Sequence, residues 1–266
     1  MNVFILSLSS DIGSYLARHY LALGHQVFGT HRSPLGKELS EHANLTALSC
    51  DVARSDAGAD IRQFLENRKL VWDLWISCVG VLDPVGPFAE VQFDDWRRSF
   101  EVNSTAQLGA LHASLPFRQS RPTAHVVFFA GGGTNGPFPA YSAYCLGKIA
   151  LIKMCELLDD EMPDLNAFIV GTGWVRTKIH QQTLQAGSRA GLNLERTRDF
   201  LEQPGAGTSL EEVGAMIDWG IRQGRKVAGG RNFSVVHDPW REGGEDLAVS
   251  LRTHPAKYKL RRVGSQ

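Results

Sequence analysis

The feature that most constrains the fold of this sequence is a regular alternation of apolar runs with helical patterns. Seven runs have the length and composition of buried strands, at residues 3–8, 26–30, 44–49, 72–77, 124–130, 166–170 and 232–236. A helical pattern or a long connection separates most successive runs, which favours parallel pairing. The alternation therefore predicts an α/β fold, a single doubly wound (Rossmann-type) parallel sheet with helices on both faces. Ligands of such sheets bind beyond the carboxyl ends of the strands.

The predicted elements follow one another without a linker, which indicates one domain over residues 1–238 of the 266. Long helices are predicted over 93–115 and 141–162, whereas 171–207 has only weak helical character. Residues 239–266 form a polar C-terminal extension to which the sequence assigns no structure. Its basic end, 257–262, is expected to be a solvated tail.

Charge and cysteine content exclude several classes of function. The 28 Lys and Arg residues balance the 28 Asp and Glu residues, which argues against a nucleic-acid partner. No apolar run has the length of a membrane span. Four cysteines without paired spacing are expected to be reduced thiols in a cytoplasmic protein. The nine histidines lack the spacing of metal ligands, so no metal site is predicted.

Tyr144 and Lys148 lie four residues apart, where a loop rich in glycine and proline leads into the 141–162 helix. Side chains at this spacing share one face of a helix. A nearby ammonium favours the phenolate and lowers the pKa of the tyrosine, which prepares it to exchange a proton with an alkoxide or alcohol. The same spacing is common on ordinary helices, so the pair needs support from the rest of the chain.

The turn after the first strand gives that support. In dinucleotide-binding folds this turn places glycine backbone and a helix N-terminus against a pyrophosphate. Here it has the sequence SLSSDIG, ending at Gly13. The chain resembles the short-chain dehydrogenase/reductase family, whose glycine motif is TGxxxGxG and whose active site is Tyr-x-x-x-Lys. When that glycine motif is aligned on Gly13, Ser7 and Asp11 stand in place of its first two glycines. The resemblance implies cofactor contacts from Ser7, Ser9, Ser10, Asp11, Ile12 and Gly13.

The resemblance continues in order to residue 238. It implies an adenine contact at Asp51 and Val52, and a cofactor contact at Gly80, the last residue of a Ser-Cys-Val-Gly run that replaces Asn-Asn-Ala-Gly. Asn103 matches the asparagine that supports the structure and the proton relay. The remaining cofactor contacts that the resemblance implies are Lys148, Thr172, Gly173 and Thr177, the last at the nicotinamide carboxamide.

Several of these residues also have plain structural interpretations. Asp11 could cap its helix. In either role its carboxylate must turn away from the pyrophosphate, because two like charges about 5 Å apart repel by roughly 3 kcal/mol at an effective dielectric constant of about 20. Asn103 could be a surface residue, and Asp51 could belong to a turn.

The residues after the second strand indicate the cofactor. An acid at this position accepts a hydrogen bond from the ribose 2′-hydroxyl of NAD, whereas an arginine accommodates the 2′-phosphate of NADP. The chain has His31, Arg32 and Ser33 here and no acid. Arg32, assisted by Ser33 and His31, therefore favours NADP over NAD, with a solvated arginine as the alternative.

The family's active-site serine, about 13 residues before the tyrosine, is missing. Counting back from Tyr144 reaches Gly131, and residues 130–140 contain no serine. Loss of one such hydrogen-bond donor costs about 10²- to 10³-fold in rate, far less than a whole enzyme's acceleration. Thr134 is the preferred replacement donor; Asn135, Ser142 and the amides of Gly131–Gly133 are the others.

The resemblance implies a hydride-transferring oxidoreductase that interconverts a carbonyl and a secondary alcohol, with Tyr144 as acid/base and residues of about 174–207 as the substrate lid. A Gly-Gly-Gly loop and a Leu-Arg-Arg tail resemble a subgroup associated with surface-polysaccharide biosynthesis, which makes a nucleotide-linked sugar the expected small-molecule substrate. The family also implies a homodimer or homotetramer packed through the 93–115 and 141–162 helices. The alternative is a dinucleotide-binding protein without turnover, such as a redox sensor or an assembly subunit.

Overall fold

The structure, a computed structural model, describes residues 1–119 and 123–262. Its centre is one sheet of seven strands in which every pair of neighbours is parallel. The strands are β1 (Asn2–Leu6), β2 (Gln26–His31), β3 (Leu45–Ser49), β4 (Leu74–Ser77), β5 (Ala124–Phe129), β6 (Leu165–Gly171) and β7 (Asn232–Ser234), in the spatial order β3-β2-β1-β4-β5-β6-β7. The prediction of a single doubly wound sheet is confirmed.

Helices cover both faces of this sheet because its strands are apolar on both sides. In β1, Val3 and Ile5 belong to one core, and Phe4 and Leu6 belong to the other. The helices are α1 (Asp11–Ala22), α2 (Lys37–Ser40), α3 (Ala57–Asn67), α4 (Phe93–Asn103), α5 (Thr105–Ser114), α6 (Ser142–Glu161), α7 (His180–Ala186), α8 (Leu192–Glu202), α9 (Leu210–Gln223), α10 (Arg225–Ala228) and α11 (Gly244–Thr253). Helices α1, α9 and α11 pack on the first face, and α3, α5 and α6 pack on the second.

The direction of the chain reverses at β1, which pairs with β2 on one side and with β4 on the other. The loops that leave the carboxyl ends of β1 and β4 therefore diverge to opposite faces and open a crevice between them. Within the described residues, no helix combines the length and hydropathy needed to span a membrane.

The prediction of one helix over 93–115 is wrong, because the helix breaks at Ser104 (φ −138°, ψ −85°). The hydroxyl of Ser104 donates to the carbonyl of Phe100. The side-chain amide of Asn103 donates to the carbonyl of Ser99. Such side-chain bonds to the backbone compete with helix continuation, and hydrophobic periodicity does not reveal them.

The segment after residue 238 folds back onto the domain. Helix α11 contributes Leu247, Ala248 and Leu251 to the first core, and the buried Arg231 donates to the carbonyl of Leu251. The expectation of a solvated basic tail is wrong for the middle of the 257–262 segment, where Lys259, with 13% of its side chain exposed, lies 3.7 Å from the Asp159 carboxylate. Arg261 pairs with Glu156 on α6.

Candidate active site

A cleft of about 1110 Å³ lies at the carboxyl edge of the sheet. It collects most of the predicted site residues, namely Ser7, Ser9, Ser10, Asp11, Ile12, Arg32, Ser33, Asp51, Val52, Gly80, Tyr144, Lys148, Thr172, Gly173 and Thr177. Four predicted residues, Gly13, His31, Asn103 and Thr134, are absent from its described lining. The topology therefore joins residues that are spread over 170 positions of the sequence.

The turn between β1 and α1 keeps the shape of a phosphate-binding turn although two of its glycines are lost. Ser7 occupies the left-handed backbone region (φ 75°) in place of the motif's first glycine, a conformation that glycine adopts at lower cost. Gly13 is sterically required, because a Cβ atom there would lie 2.2 Å from the carbonyl oxygen of Ser7. The absence of a side chain at Gly13 therefore allows α1 to pack closely against the Ser7 carbonyl.

The cap of α1 is Ser10, so the interpretation of Asp11 as the cap is wrong. The hydroxyl of Ser10 accepts from the amide of Gly13 at 3.1 Å. The Asp11 carboxylate accepts from the backbone amide of Lys178 at 2.6 Å. The amides of Asp11 and Ile12 donate to no other group in the part of the chain that the structure describes, which leaves them for an anion.

The loops after β2 and β3 line the part of the cleft where the sequence predicts the adenine contact. Arg32 and Ser33 line it, and the ring of His31, outside the cleft, donates to the carbonyl of Ser33 at 3.0 Å. Asp51 lines the cleft and its carboxylate accepts from the amide of Ala53 at 3.0 Å. Asp51 is therefore a turn residue as well as a lining residue.

Lys148 is buried, with 3% of its surface exposed, and its ammonium donates to the carbonyl of Val79 at 2.9 Å. Burial lowers the pKa of Lys148 to about 8. The bond joins α6 to the residue that follows β4 by two positions. Gly80 lies beside it, since a Cβ atom there would be 3.9 Å from the ammonium.

Tyr144 lies with its ring centroid 5.9 Å from the Lys148 ammonium. The predicted pair is thus brought together, but the expected lowering of the tyrosine pKa is wrong for this structure. Burial raises the pKa of Tyr144 above the ordinary value for a phenol. Desolvation outweighs the nearby positive charge, so the phenol is neutral near pH 7.

Gly131 stands at the position of the missing serine, and Tyr144 fills the space that a side chain there would need. A Cβ atom on Gly131 would lie 2.4 Å from the Tyr144 hydroxyl oxygen and 2.5 Å from ring atoms Cε1 and Cζ. Such distances are too short for non-bonded atoms. The loss of the serine and the position of the tyrosine are therefore coupled.

The preferred replacement for the serine is not in place. Thr134 lies outside the described lining, and its hydroxyl donates to the carbonyl of Gly131 at 3.2 Å. The hydroxyl of Ser142 accepts from the indole of Trp96 at 2.9 Å. Gly131 and Gly132 line the cleft, and their amides donate to no group within residues 1–119 and 123–262. Among the predicted donors, these two amides are the ones that belong to lining residues and have no acceptor among the described residues.

Asn103 is fully buried and holds the loop after β4. Its amide nitrogen donates to the carbonyls of Val81 (2.8 Å) and Ser99 (3.0 Å), and its oxygen accepts from the amide of Val81. Both amide hydrogens are therefore used within the protein. A Cβ atom on Gly147 would lie 2.7 Å from the Cβ of Asn103, so this contact also sets the approach of α6 to α4.

The lid contributes polar residues that the sequence reasoning missed. Thr183, Asn193 and Thr197 of α7 and α8 are buried and line the cleft, together with Tyr141 and Gln182. The hydroxyls of Tyr141 and Thr183 lie 2.9 Å apart. Tyr141 precedes the first residue of α6 and has a non-helical backbone conformation (φ −130°, ψ 33°), so helical spacing does not predict its position. The lid residues carry no local signal either.

Comparison with known proteins agrees with this geometry. Residues 1–187 match the short chain dehydrogenase family, which is more than half of the chain. The chain belongs to this family. An uncharacterised oxidoreductase of Schizosaccharomyces pombe is 30% identical over 40% of this chain and 43% of its own length, so that alignment spans less than half of the relative.

Other family members match over greater lengths. The 2,3-dihydro-2,3-dihydroxybenzoate dehydrogenase of Bacillus subtilis is 24% identical over 92% of this chain and 96% of its own. The structure of 4-hydroxyisoleucine dehydrogenase complexed with NADH superposes with a TM-score of 0.74 at 18% identity, covering 88% of this chain and 96% of that one. This last likeness is one of fold.

Restoring the family's serine is predicted to harm this protein. In Gly131→Ser the new side chain overlaps the Tyr144 ring, so we expect a loss of about 1 to 3 kcal/mol in the free energy of unfolding, as in other overpacked sites. Denaturant unfolding measures the change. Gly136→Ser is the matched control, because a Cβ atom at Gly136, on the same loop, meets no other atom within 4 Å. Equal stability of the two variants would refute the coupling.

Proposed function

We propose that this short chain dehydrogenase is an NADP-dependent oxidoreductase that interconverts a carbonyl and a secondary alcohol. The proposal rests on one observation: Tyr144, the buried Lys148 and the turn between β1 and α1 line the same cleft. When bound, the nicotinamide supplies a hydride to the substrate carbon or accepts one from it.

The residues present fit a dinucleotide along the whole cleft. Free amides at the first turn of α1, with the hydroxyl of Ser9, suit the diphosphate. Asp51 and Val52 would contact the adenine, and the Lys148 ammonium, held by a single carbonyl, has further hydrogens for ribose hydroxyls. The nicotinamide end would be lined by Gly80, Thr172, Gly173 and Thr177.

Tyr144 is the proposed acid and base. A phenol is protonated near neutral pH, and burial strengthens that preference by raising the pKa of Tyr144. Its proton can pass to the oxygen of a carbonyl substrate as negative charge develops there. The cation of Lys148 stabilises the phenolate that remains. The amides of Gly131 and Gly132 would donate hydrogen bonds to the substrate oxygen in place of the serine, and Asn103 positions the loop that carries Val79 and Gly80.

The preference for NADP rests on Arg32. Arg32 and Ser33 line the cleft at the end of β2, and no carboxylate is present among residues 30–33. A guanidinium forms strong, charge-assisted hydrogen bonds with a phosphate. Arg32 and Ser33, with His31 holding the loop, would therefore bind the 2′-phosphate.

Arg32→Ala is predicted to weaken NADPH binding by roughly 10- to 100-fold, the worth of a hydrogen-bonded charge, and to leave NADH binding nearly unchanged. Titration of each nucleotide into the protein gives both dissociation constants. Arg62→Ala is the control, since Arg62 is an exposed arginine on α3 outside the described cleft lining. If the unaltered protein binds NADH as tightly as NADPH, the assignment fails.

The lid favours a polar substrate that carries several hydroxyl groups. Thr183, Asn193 and Thr197 are buried polar residues of the lid that line the cleft. The side-chain oxygen of Asn193 has no hydrogen-bond partner among the described residues, and burying such a group without a partner is unfavourable. A nucleotide-linked sugar or another polysaccharide precursor, expected from the subgroup resemblance, has this chemistry. The cytoplasmic location and the homodimer or homotetramer packed through α4, α5 and α6 stay predictions.

A substrate panel tests the proposed reaction. Hydroxylated carbonyl compounds, including nucleotide-linked keto sugars, are incubated with the protein and NADPH, and consumption of NADPH is followed by absorbance. The proposal expects turnover of at least one polar carbonyl and none of apolar ketones of similar size. Tight NADPH binding without turnover of any member would favour the alternative, a dinucleotide-binding sensor or assembly subunit, which the absent serine and the altered glycine motif support.

A further inference from the structure

A bridge crosses the cleft between the turn after β1 and the loop after β6. The backbone amide of Lys178 donates to the Asp11 carboxylate at 2.6 Å, and the Lys178 ammonium donates to the carbonyl of Ser9 at 2.7 Å. Asp11 and Lys178 lie 167 positions apart in the sequence. One residue of the loop therefore makes both contacts to the turn.

The bridge ends at the groups that suit a diphosphate. Lys178 lines the cleft together with Ser9, Ser10, Asp11 and Ile12, and the amides of Asp11 and Ile12 have no acceptor among the described residues. The other cations in the cleft lining belong to different segments; they are Arg32, Arg98, Lys148 and Arg189. Lys178 is thus the cation that the fold brings to the turn.

The negative charge of Asp11 favours a cation at this turn. A carboxylate at the second glycine position of the motif repels a diphosphate. The hydrogen bond from the Lys178 amide directs the Asp11 carboxylate away from the turn but does not remove its charge. An ammonium that reaches the same turn offsets that charge. Its present acceptor, the Ser9 carbonyl, is neutral, and an anionic phosphate oxygen attracts an ammonium more strongly than a neutral carbonyl does.

We propose that Lys178 is a diphosphate-binding residue and that Asp11 positions it. When the dinucleotide binds, the ammonium exchanges the Ser9 carbonyl for a diphosphate oxygen, while the Asp11 carboxylate keeps the Lys178 backbone beside the turn. The replacement of a glycine by Asp11 then belongs to a carboxylate–lysine pair that closes the cleft over the cofactor. This inference rests on the proposed function, since it concerns the same dinucleotide.

Binding measurements on the full chain test the proposal without a substrate. NADPH, ADP and adenosine are titrated into the unaltered protein and into Lys178→Ala, Lys178→Arg and Lys226→Ala. Lys226, an exposed lysine on α10 outside the described cleft lining, is the matched control. We expect Lys178→Ala to lose roughly 10- to 100-fold in affinity for NADPH and ADP, and to bind adenosine, which has no phosphate, as before.

Two further results separate charge from general damage. Lys178→Arg keeps the charge and should retain most of the ADP affinity, and Lys178→Ala should show a weaker dependence of ADP binding on salt concentration. Adding Asp11→Asn to Lys178→Ala should restore part of the ADP affinity, because it removes the opposing negative charge. Thermal unfolding midpoints show whether each variant is folded.

Three outcomes overturn the proposal. In the first, Lys178→Ala binds ADP and NADPH as tightly as the unaltered protein, which leaves the proposed function standing. In the second, it loses affinity for adenosine as much as for ADP, which indicates a damaged cleft rather than a lost charge. In the third, the unaltered protein binds no NADPH, and the proposed function fails together with this inference.

Discussion

The contact between the Tyr144 ring and Gly131 is the constraint on which the rest of the site depends. The ring lies where a side chain at position 131 would be, so α6 can bring its first turn against the end of β5. One turn later the same helix delivers Lys148 to the carbonyl of Val79, and Gly147 allows the close approach to Asn103 on α4. Glycine at position 131 therefore determines the positions of both proposed catalytic groups, and a serine there would disturb this packing.

Charge is distributed to suit an anionic cofactor and a neutral acid. Burial raises the pKa of Tyr144 and lowers that of Lys148 to about 8. The uncharged form of each group is therefore favoured more than it would be in water. Arg32 and Lys178 bring positive charge to the two ends of the proposed phosphate path. The backbone amides of Gly131 and Gly132, which have no acceptor among the described residues, are the donors proposed in place of the serine. Loss of the serine donor costs about 10²- to 10³-fold in rate, which is compatible with catalysis in such a site.

Sequence patterns predicted the parts of this structure that have a local cause. Strand-like apolar runs predicted the parallel sheet, and the spacing of Tyr144 and Lys148 predicted their meeting. Features that depend on distant partners were not predictable: the bridge from Asp11 to Lys178 spans 167 positions, and the polar lid residues lie on helices with only weak periodicity. Thr134 was misplaced because its hydroxyl bonds to the nearby Gly131 carbonyl, a local choice that composition does not show. The tyrosine pKa was predicted from a neighbouring charge, whereas burial decides it.

The measurement that tests the account most directly compares the unaltered protein with Tyr144→Phe, using a carbonyl substrate found with NADPH. The substitution keeps the ring and removes the transferable proton. We predict that turnover falls by about 10²- to 10⁴-fold, the usual worth of general acid–base catalysis, while the dissociation constant for NADPH stays unchanged. Turnover that survives in Tyr144→Phe would contradict the account, because Tyr144 would then be an ordinary residue of α6.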